Sequence, residues 1–175
     1  MENRLEHDLF GTKPRNGGIN SDRKGKENER DLCRWLEKWT GEKFARVPSS
    51  GGLRWKNTVS VCGDVVCENQ DFDCIFSIET KHLKTLSVTG KQRVKSTIRT
   101  IWEKQAKPDA ERAGKIPLML LRCNGMKQGT WYFITDKTLP FDLVGYCPMD
   151  NGVLNIYSSK QITPYSKLIE HYASN

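Results

Sequence analysis

Residues 59–81 constrain this chain most. Two apolar runs of strand length, 59–67 and 72–81, flank the polar cluster Glu68-Asn69-Gln70-Asp71. A turn of that chemistry between two such runs predicts an antiparallel hairpin. Each arm nevertheless carries an acid. Asp64 follows Gly63, which interrupts the first arm, and Glu79 lies within Ile78-Glu79-Thr80-Lys81 in the second. Strand side chains alternate, so Glu79 and Lys81 project to one face, Ile78 and Thr80 to the other. The neighbouring arm brings Asp64 towards the Glu79 face. A charge in an apolar strand is costly, and two adjacent carboxylates are unfavourable unless a cation lies between them.

The rest of the chain predicts helices that cover this hairpin. Residues 1–22 are polar, rich in Gly, Asn and Arg, and read as a flexible basic arm. From Lys24, Leu32, Trp35, Leu36 and Trp39 recur at helical spacing and Gly41 ends the pattern. Phe44, Arg46 and Val47 make a short strand before Pro48. Residues 49–58 form a basic loop carrying Ser49, Ser50, Arg54 and Lys56. Residues 91–113 read as a helix with Val94, Ile98, Ile101, Trp102, Gln105 and Ala106 along one side. Residues 116–122 and 130–135 read as strands. A hairpin around Asp150-Asn151-Gly152 and a helix at 163–173 follow. The expected fold class is α/β: a mixed β-sheet flanked by helices. A core at 23–137 would carry a C-terminal hairpin and helix, 138–175, packed against it.

Charge narrows the partners. The chain has 28 Lys and Arg against 21 Asp and Glu, a net charge of +7. That excess favours a polyanion, nucleic acid before a membrane surface. No run approaches the roughly eighteen apolar residues of a membrane-spanning helix, and the N-terminal residues lack the apolar core of a secretory signal. The segment 84–115 holds nine Lys or Arg against three acids. It is either a plain solvated helix face or a surface that tracks a phosphate backbone. The six cysteines lack the tight spacing of a zinc ribbon, so Cys62, Cys67, Cys74 and His82 are expected to be ordinary side chains rather than a metal set. Free thiols place the chain in a reducing, cytoplasmic setting.

The hairpin acids carry a specific chemistry. Asp64 and Glu79 are hard oxygen donors suited to Mg²⁺, with Mn²⁺ as a substitute. Such a cation lowers the pKa of a bound water and neutralises charge at a scissile phosphate. Lys81 would orient that water or stabilise the developing negative charge. With eleven Glu and seventeen Lys, a Glu-x-Lys triplet occurs about once by chance. The triplet alone therefore carries nothing; the ordered set of Asp64, Glu79 and Lys81 in one hairpin does.

Four stretches, GKENERDLCRWLE (25–37), RVPSSGG (46–52), GDVV (63–66) and IETK (78–81), together resemble the PD-(D/E)XK nuclease superfamily. Within it they are most similar to Holliday-junction resolvases of archaeal and viral type. The resemblance spans about residues 23–122 and implies a restriction-endonuclease-like core. It implies that Asp64 and Glu79 hold the metal, that Lys81 is the catalytic lysine, and that Glu29 reaches the metal through water. Ser50 falls where such enzymes carry an active-site serine, and Arg30 and Arg46 where they bind DNA phosphates. Arg54 and Lys56 would grip DNA from the 49–58 loop. Two departures stand: the Arg46–Asp64 separation includes a longer loop, and Gly63 replaces the family's proline before the Asp.

The implied activity is a structure-selective DNA endonuclease acting on four-way junctions, and paired nicks on a two-fold junction suit a homodimer. Another endonuclease of the superfamily, a non-catalytic nucleic-acid-binding module and a basic assembly protein stand as alternatives. Glu27 competes with Glu29, and both could be solvated helix residues. Arg30 and Arg46 could be surface charges, and Ser49 and Ser50 turn formers.

Overall fold

The structure, a computed structural model, describes residues 21–47, 62–72, 74–84 and 96–173. Its elements, in chain order, are α1 (Ser21–Thr40), β1 (Phe44–Arg46), β2 (Val65–Cys67), β3 (Phe76–Leu83), α2 (Ser96–Ile101), a π-helical turn (Trp102–Ala106), α3 (Lys107–Ala113), β4 (Ile116–Cys123), β5 (Tyr132–Thr135), β6 (Leu143–Met149), β7 (Gly152–Ser158) and α4 (Tyr165–Ala173). The seven strands form one sheet in the order β1-β2-β3-β4-β5-β7-β6. β3 and β4 are parallel, joined through α2 and α3, and every other described pairing is antiparallel. Helices cover both faces, so the architecture is the mixed α/β sheet that the alternation of elements predicts.

Strand alternation sorts the core into two layers. Ile78, Leu118, Leu120 and Phe133 face α1 and α4, packing on Leu32, Leu36, Tyr165 and Leu168. Met119, Leu121, Ile134 and Ile156 face the other way, onto Ile98, Ile101, Trp102 and Ala106. Glu79 is in register with Met119 and Lys81 with Leu121. Adjacent residues in register share a face, so both charged side chains lie on the α2–α3 side. Trp35 and Trp39 pack against the first layer, and the Trp39 indole donates to the Thr163 carbonyl at 2.9 Å. Arg122 pairs with Asp31 of α1 at 2.9 Å, with both side chains nearly buried, and fastens α1 to the sheet.

Several boundaries differ from expectation. α1 begins at Ser21, so it takes the last two residues of the expected arm; residues 1–20 lie outside the described residues. Of the first hairpin arm, residues 59–61 lie outside the described residues and only Val65–Cys67 is strand. The second arm starts at Phe76 rather than at 72 and runs on to Leu83. Phe72 and Ile75 pack against the core from a loop, which an apolar run cannot distinguish from a strand. The helix expected over 91–113 is described from Ser96 and contains the π-helical turn. Pro108 sits in the first turn of α3. A proline inside a helix supplies no N–H and crowds the carbonyl one turn back. The wider turn before it accommodates both, with the Lys107 N–H reaching the Trp102 carbonyl.

Candidate active site

The site is built where β2 leaves β3. The ladder between these strands is a single register pair, Val65 with Ile78. Just before it the chain turns at Gly63, whose φ is +84°. A Cβ at Gly63 would stand 2.4 Å from the Ile78 carbonyl oxygen, so only glycine fits this close approach. A proline, locked near φ −65°, is excluded from this conformation, which gives a physical reason for the departure from the superfamily pattern. The next residue, Asp64, is pinned on both sides. Its N–H donates to the Ile78 carbonyl at 2.8 Å, and its carbonyl accepts from Val47 at 2.9 Å. Its carboxylate turns back to accept the Thr80 backbone N–H at 2.8 Å, a donor that the short ladder leaves to it.

Three of the predicted site residues converge. The Lys81 ammonium lies 2.5 Å from Glu79 Oε1 and 3.6 Å from Asp64 Oδ2. The Glu79 side chain is 5% exposed, that of Asp64 26% and that of Lys81 36%. The cluster therefore has a buried floor and an open rim. Burial first, then the Asp64 charge, and least of the three the charge of Asp109 on α3, push the Glu79 carboxyl up to about 7 against the pull of Lys81. Burial draws the Lys81 pKa down, but the Asp64 and Glu79 charges together outweigh it and hold it above the usual lysine value. Lys81 is thus a cation at neutral pH.

The structure also brings Glu29 and Arg46 together. The Arg46 guanidinium donates to the Glu29 carboxylate in a partly buried ion pair between β1 and α1. Arg46 is in register with Val65, one residue from Asp64. Arg30 is exposed and pairs with Glu27 at 3.3 Å, so Glu27 is occupied on the helix surface. Ser49, Ser50, Arg54 and Lys56 lie outside the described residues. Trp102 is core, and Gln105 is exposed. Cys33, Cys67, Cys123 and Cys147 carry unbridged thiols. Among the described residues no three His, Cys, Asp or Glu side chains form a ready metal cluster. The acids of the site stand as a pair, Asp64 and Glu79, around one ammonium.

Sequence reading missed Asn28, Thr80 and Asp109. Asn28 is 3% exposed and Thr80 equally buried, linked through Asn28 Nδ2 and Thr80 Oγ1 at 2.9 Å. One signal was available for Asn28: it falls four and eight residues before Leu32 and Leu36, on the apolar stripe, where a polar residue is unusual.

The donor set fits a hard divalent cation. Two carboxylates share one ammonium, leaving one negative charge in excess at a half-buried position, and burial first, then the Asp64 charge, pushes the Glu79 carboxyl up. Oxygen donors with open positions suit Mg²⁺ or Mn²⁺. A pH signature follows for the metal-free protein. The folded chain holds the Glu79 proton that the unfolded chain releases near 4.5. The resulting stabilisation is complete below about 4.5 and is lost as pH rises through about 7. The full span is on the order of 3 kcal/mol. In EDTA, urea unfolding of wild type is expected to weaken between pH 5 and 8 relative to Glu79→Gln, which lacks this proton. Parallel pH profiles for the two proteins would contradict it.

A family model described as phage putative PDDEXK endonuclease matches residues 20–144. No curated protein and no solved structure matches the chain. The matched span includes Asp64, Glu79 and Lys81, and Glu29 on α1.

Proposed function

Because this chain belongs to the phage putative PDDEXK endonuclease family, we propose that it is a metal-dependent, structure-selective DNA endonuclease that resolves four-way junctions by paired nicks, acting as a homodimer in a reducing compartment. Its core is a restriction-endonuclease-like mixed sheet flanked by helices. The observation that supports the reading best is one ammonium shared by two carboxylates from adjacent strands, on an open rim.

Asp64 and Glu79 would hold Mg²⁺, or Mn²⁺ in its place, with Glu29 contributing through water. The bound cation supplies an acidified water and charge neutralisation at the phosphate. Each side chain has its own task. Asp64, held by the Thr80 N–H, presents a carboxylate of fixed direction. Glu79, on the buried floor, must be ionised to bind a cation, so binding strengthens as pH rises to about 7. Lys81, charged at neutral pH, places a positive charge beside the developing negative charge of the phosphate. Arg46 and Arg30 would contact the backbone, Arg46 by exchanging Glu29 for a phosphate oxygen. Ser50, Arg54 and Lys56 would extend that contact along the 49–58 loop. The net charge of +7 suits a substrate recognised through its phosphates, with binding that weakens steeply as salt rises.

A synthetic four-way junction and a linear duplex of the same sequence, each with Mg²⁺ and with EDTA, test the proposal. The expected result is at least about tenfold faster cleavage of the junction, as paired symmetric nicks, and none in EDTA. Equal rates on both substrates would discard junction selectivity and leave a broader endonuclease. No cleavage of any branched or linear DNA would leave a binding module.

A further inference from the structure

Asn28 occupies a position that an apolar residue would fill more favourably. It continues the α1 stripe of Leu32 and Leu36, is 3% exposed, and its side-chain carbonyl has no hydrogen-bond partner among the described residues. A half-satisfied buried amide weakens a core. Its amide nitrogen, however, donates to Thr80 Oγ1 at 2.9 Å, and that hydroxyl donates in turn to the Leu120 carbonyl at 2.7 Å. Thr80 is thereby fastened from both sides, to α1 and to β4. The same residue offers its backbone N–H to Asp64 Oδ2 at 2.8 Å, just before β2.

The geometry points to Asn28 and Thr80 as positioning residues of the active site: a hydrogen-bonded relay that runs from α1 through the centre of the sheet and fixes the direction of the Asp64 carboxylate. The inference rests on the metal-dependent reading of Asp64. Thr80 lies between Glu79 and Lys81, so a shift of its backbone moves all three site residues together. Among the described residues Val65 with Ile78 is the only register pair between β2 and β3, and beyond it the Thr80–Asp64 contact does the work of a ladder bond. Asn28 and Thr80 are 52 residues apart in sequence, and neither carries a charge.

The test is Mn²⁺ affinity of the full chain at pH 8, read from the free-ion paramagnetic resonance signal, in wild type, Asn28→Leu, Thr80→Val and Thr80→Ser. Removing a group that orients a ligand typically costs roughly 10- to 100-fold in metal affinity. Asn28→Leu and Thr80→Val are each expected to weaken Mn²⁺ binding by that factor. Thr80→Ser, which keeps the hydroxyl, is expected to stay within about twofold of wild type. The double variant Asn28→Leu/Thr80→Val should lose no more than the worse single variant, because both break one relay. A purely packing role would move the thermal midpoint and leave the Mn²⁺ affinity alone. Should Asn28→Leu not fold, the Thr80→Val and Thr80→Ser pair decides: equal affinities for both overturn the relay. A folded Asn28→Leu that binds Mn²⁺ as wild type does overturns it too. If wild type itself binds no Mn²⁺, the metal reading falls and the relay with it, an outcome distinct from a failure of the variants.

Discussion

Asp64→Asn is expected to lower metal-dependent DNA cleavage by about a thousandfold or more, with secondary structure and thermal midpoint in EDTA unchanged or slightly raised. The two halves of that expectation have separate causes. Structurally, an asparagine Oδ1 can still accept the Thr80 N–H, and the Ile78 and Val47 bonds involve only the backbone of residue 64. The fold around β2 is therefore retained. Electrostatically, the substitution removes one of the two charges facing Lys81 and relieves the repulsion that pushes Glu79 up. The site becomes neutral overall and loses its reason to take up a divalent cation. A loss of three orders of magnitude corresponds to about 4 kcal/mol of transition-state stabilisation. Cleavage of branched DNA under single-turnover conditions, beside circular dichroism in EDTA, measures both halves. Cleavage by Asp64→Asn within tenfold of wild type would remove Asp64 from the chemistry.

Gly63→Ala is expected to destabilise the protein by about 3 kcal/mol or more and to abolish cleavage as well. Gly41 supplies the internal control. Both glycines have φ of +84°, but a Cβ at Gly41 meets nothing within 4 Å, whereas one at Gly63 meets the Ile78 carbonyl oxygen at 2.4 Å. Gly41→Ala thus costs only the left-handed backbone preference, about 1–2 kcal/mol. Gly63→Ala adds a collision with backbone, which no side-chain rotation relieves. Either β2 separates from β3 or the turn rearranges, and both displace the Asp64 carboxylate from Thr80. Urea unfolding of the two alanine variants compares them directly; equal losses would mean that the close approach at Gly63 carries no energetic weight.

Much of the site was legible because strand parity is a local rule. Glu79 and Lys81 had to share a face, and a hairpin had to bring Asp64 beside them; the 2.5 Å and 3.6 Å contacts of Lys81 match that reading. The helical stripe of Leu32, Leu36 and Trp39 was equally local. What stayed hidden depends on partners distant in sequence or on backbone geometry. Phe72 and Ile75 are apolar because they pack against the core from a loop beside Tyr165, and period alone assigns such residues to a strand. The π-helical turn answers to Pro108 and not to any pattern of hydrophobicity. Gly63 read as an interruption of a strand, but its role is to let β2 touch the Ile78 backbone. Glu29 was expected to reach a metal through water, and its ion pair with Arg46 was not foreseen. That pairing depends on how α1 lies against β1, which no motif spacing specifies.

The site also has an energetic logic. Glu79 is a nearly buried carboxylate whose proton affinity is raised by its surroundings, so the ionised site is under electrostatic strain without a cation. A bound divalent ion relieves that strain and stabilises the fold by mass action. The same groups that weaken the metal-free protein at high pH are those expected to bind the ion.

Titration of Mn²⁺ into wild type, Asp64→Asn and Glu79→Gln at pH 8, followed by paramagnetic resonance, tests most directly whether the paired acids form a metal centre. The expected result is saturable binding by wild type and a loss of at least about tenfold in affinity in either variant. Equal binding by all three proteins, or DNA cleavage by a wild type that binds no metal, would contradict it.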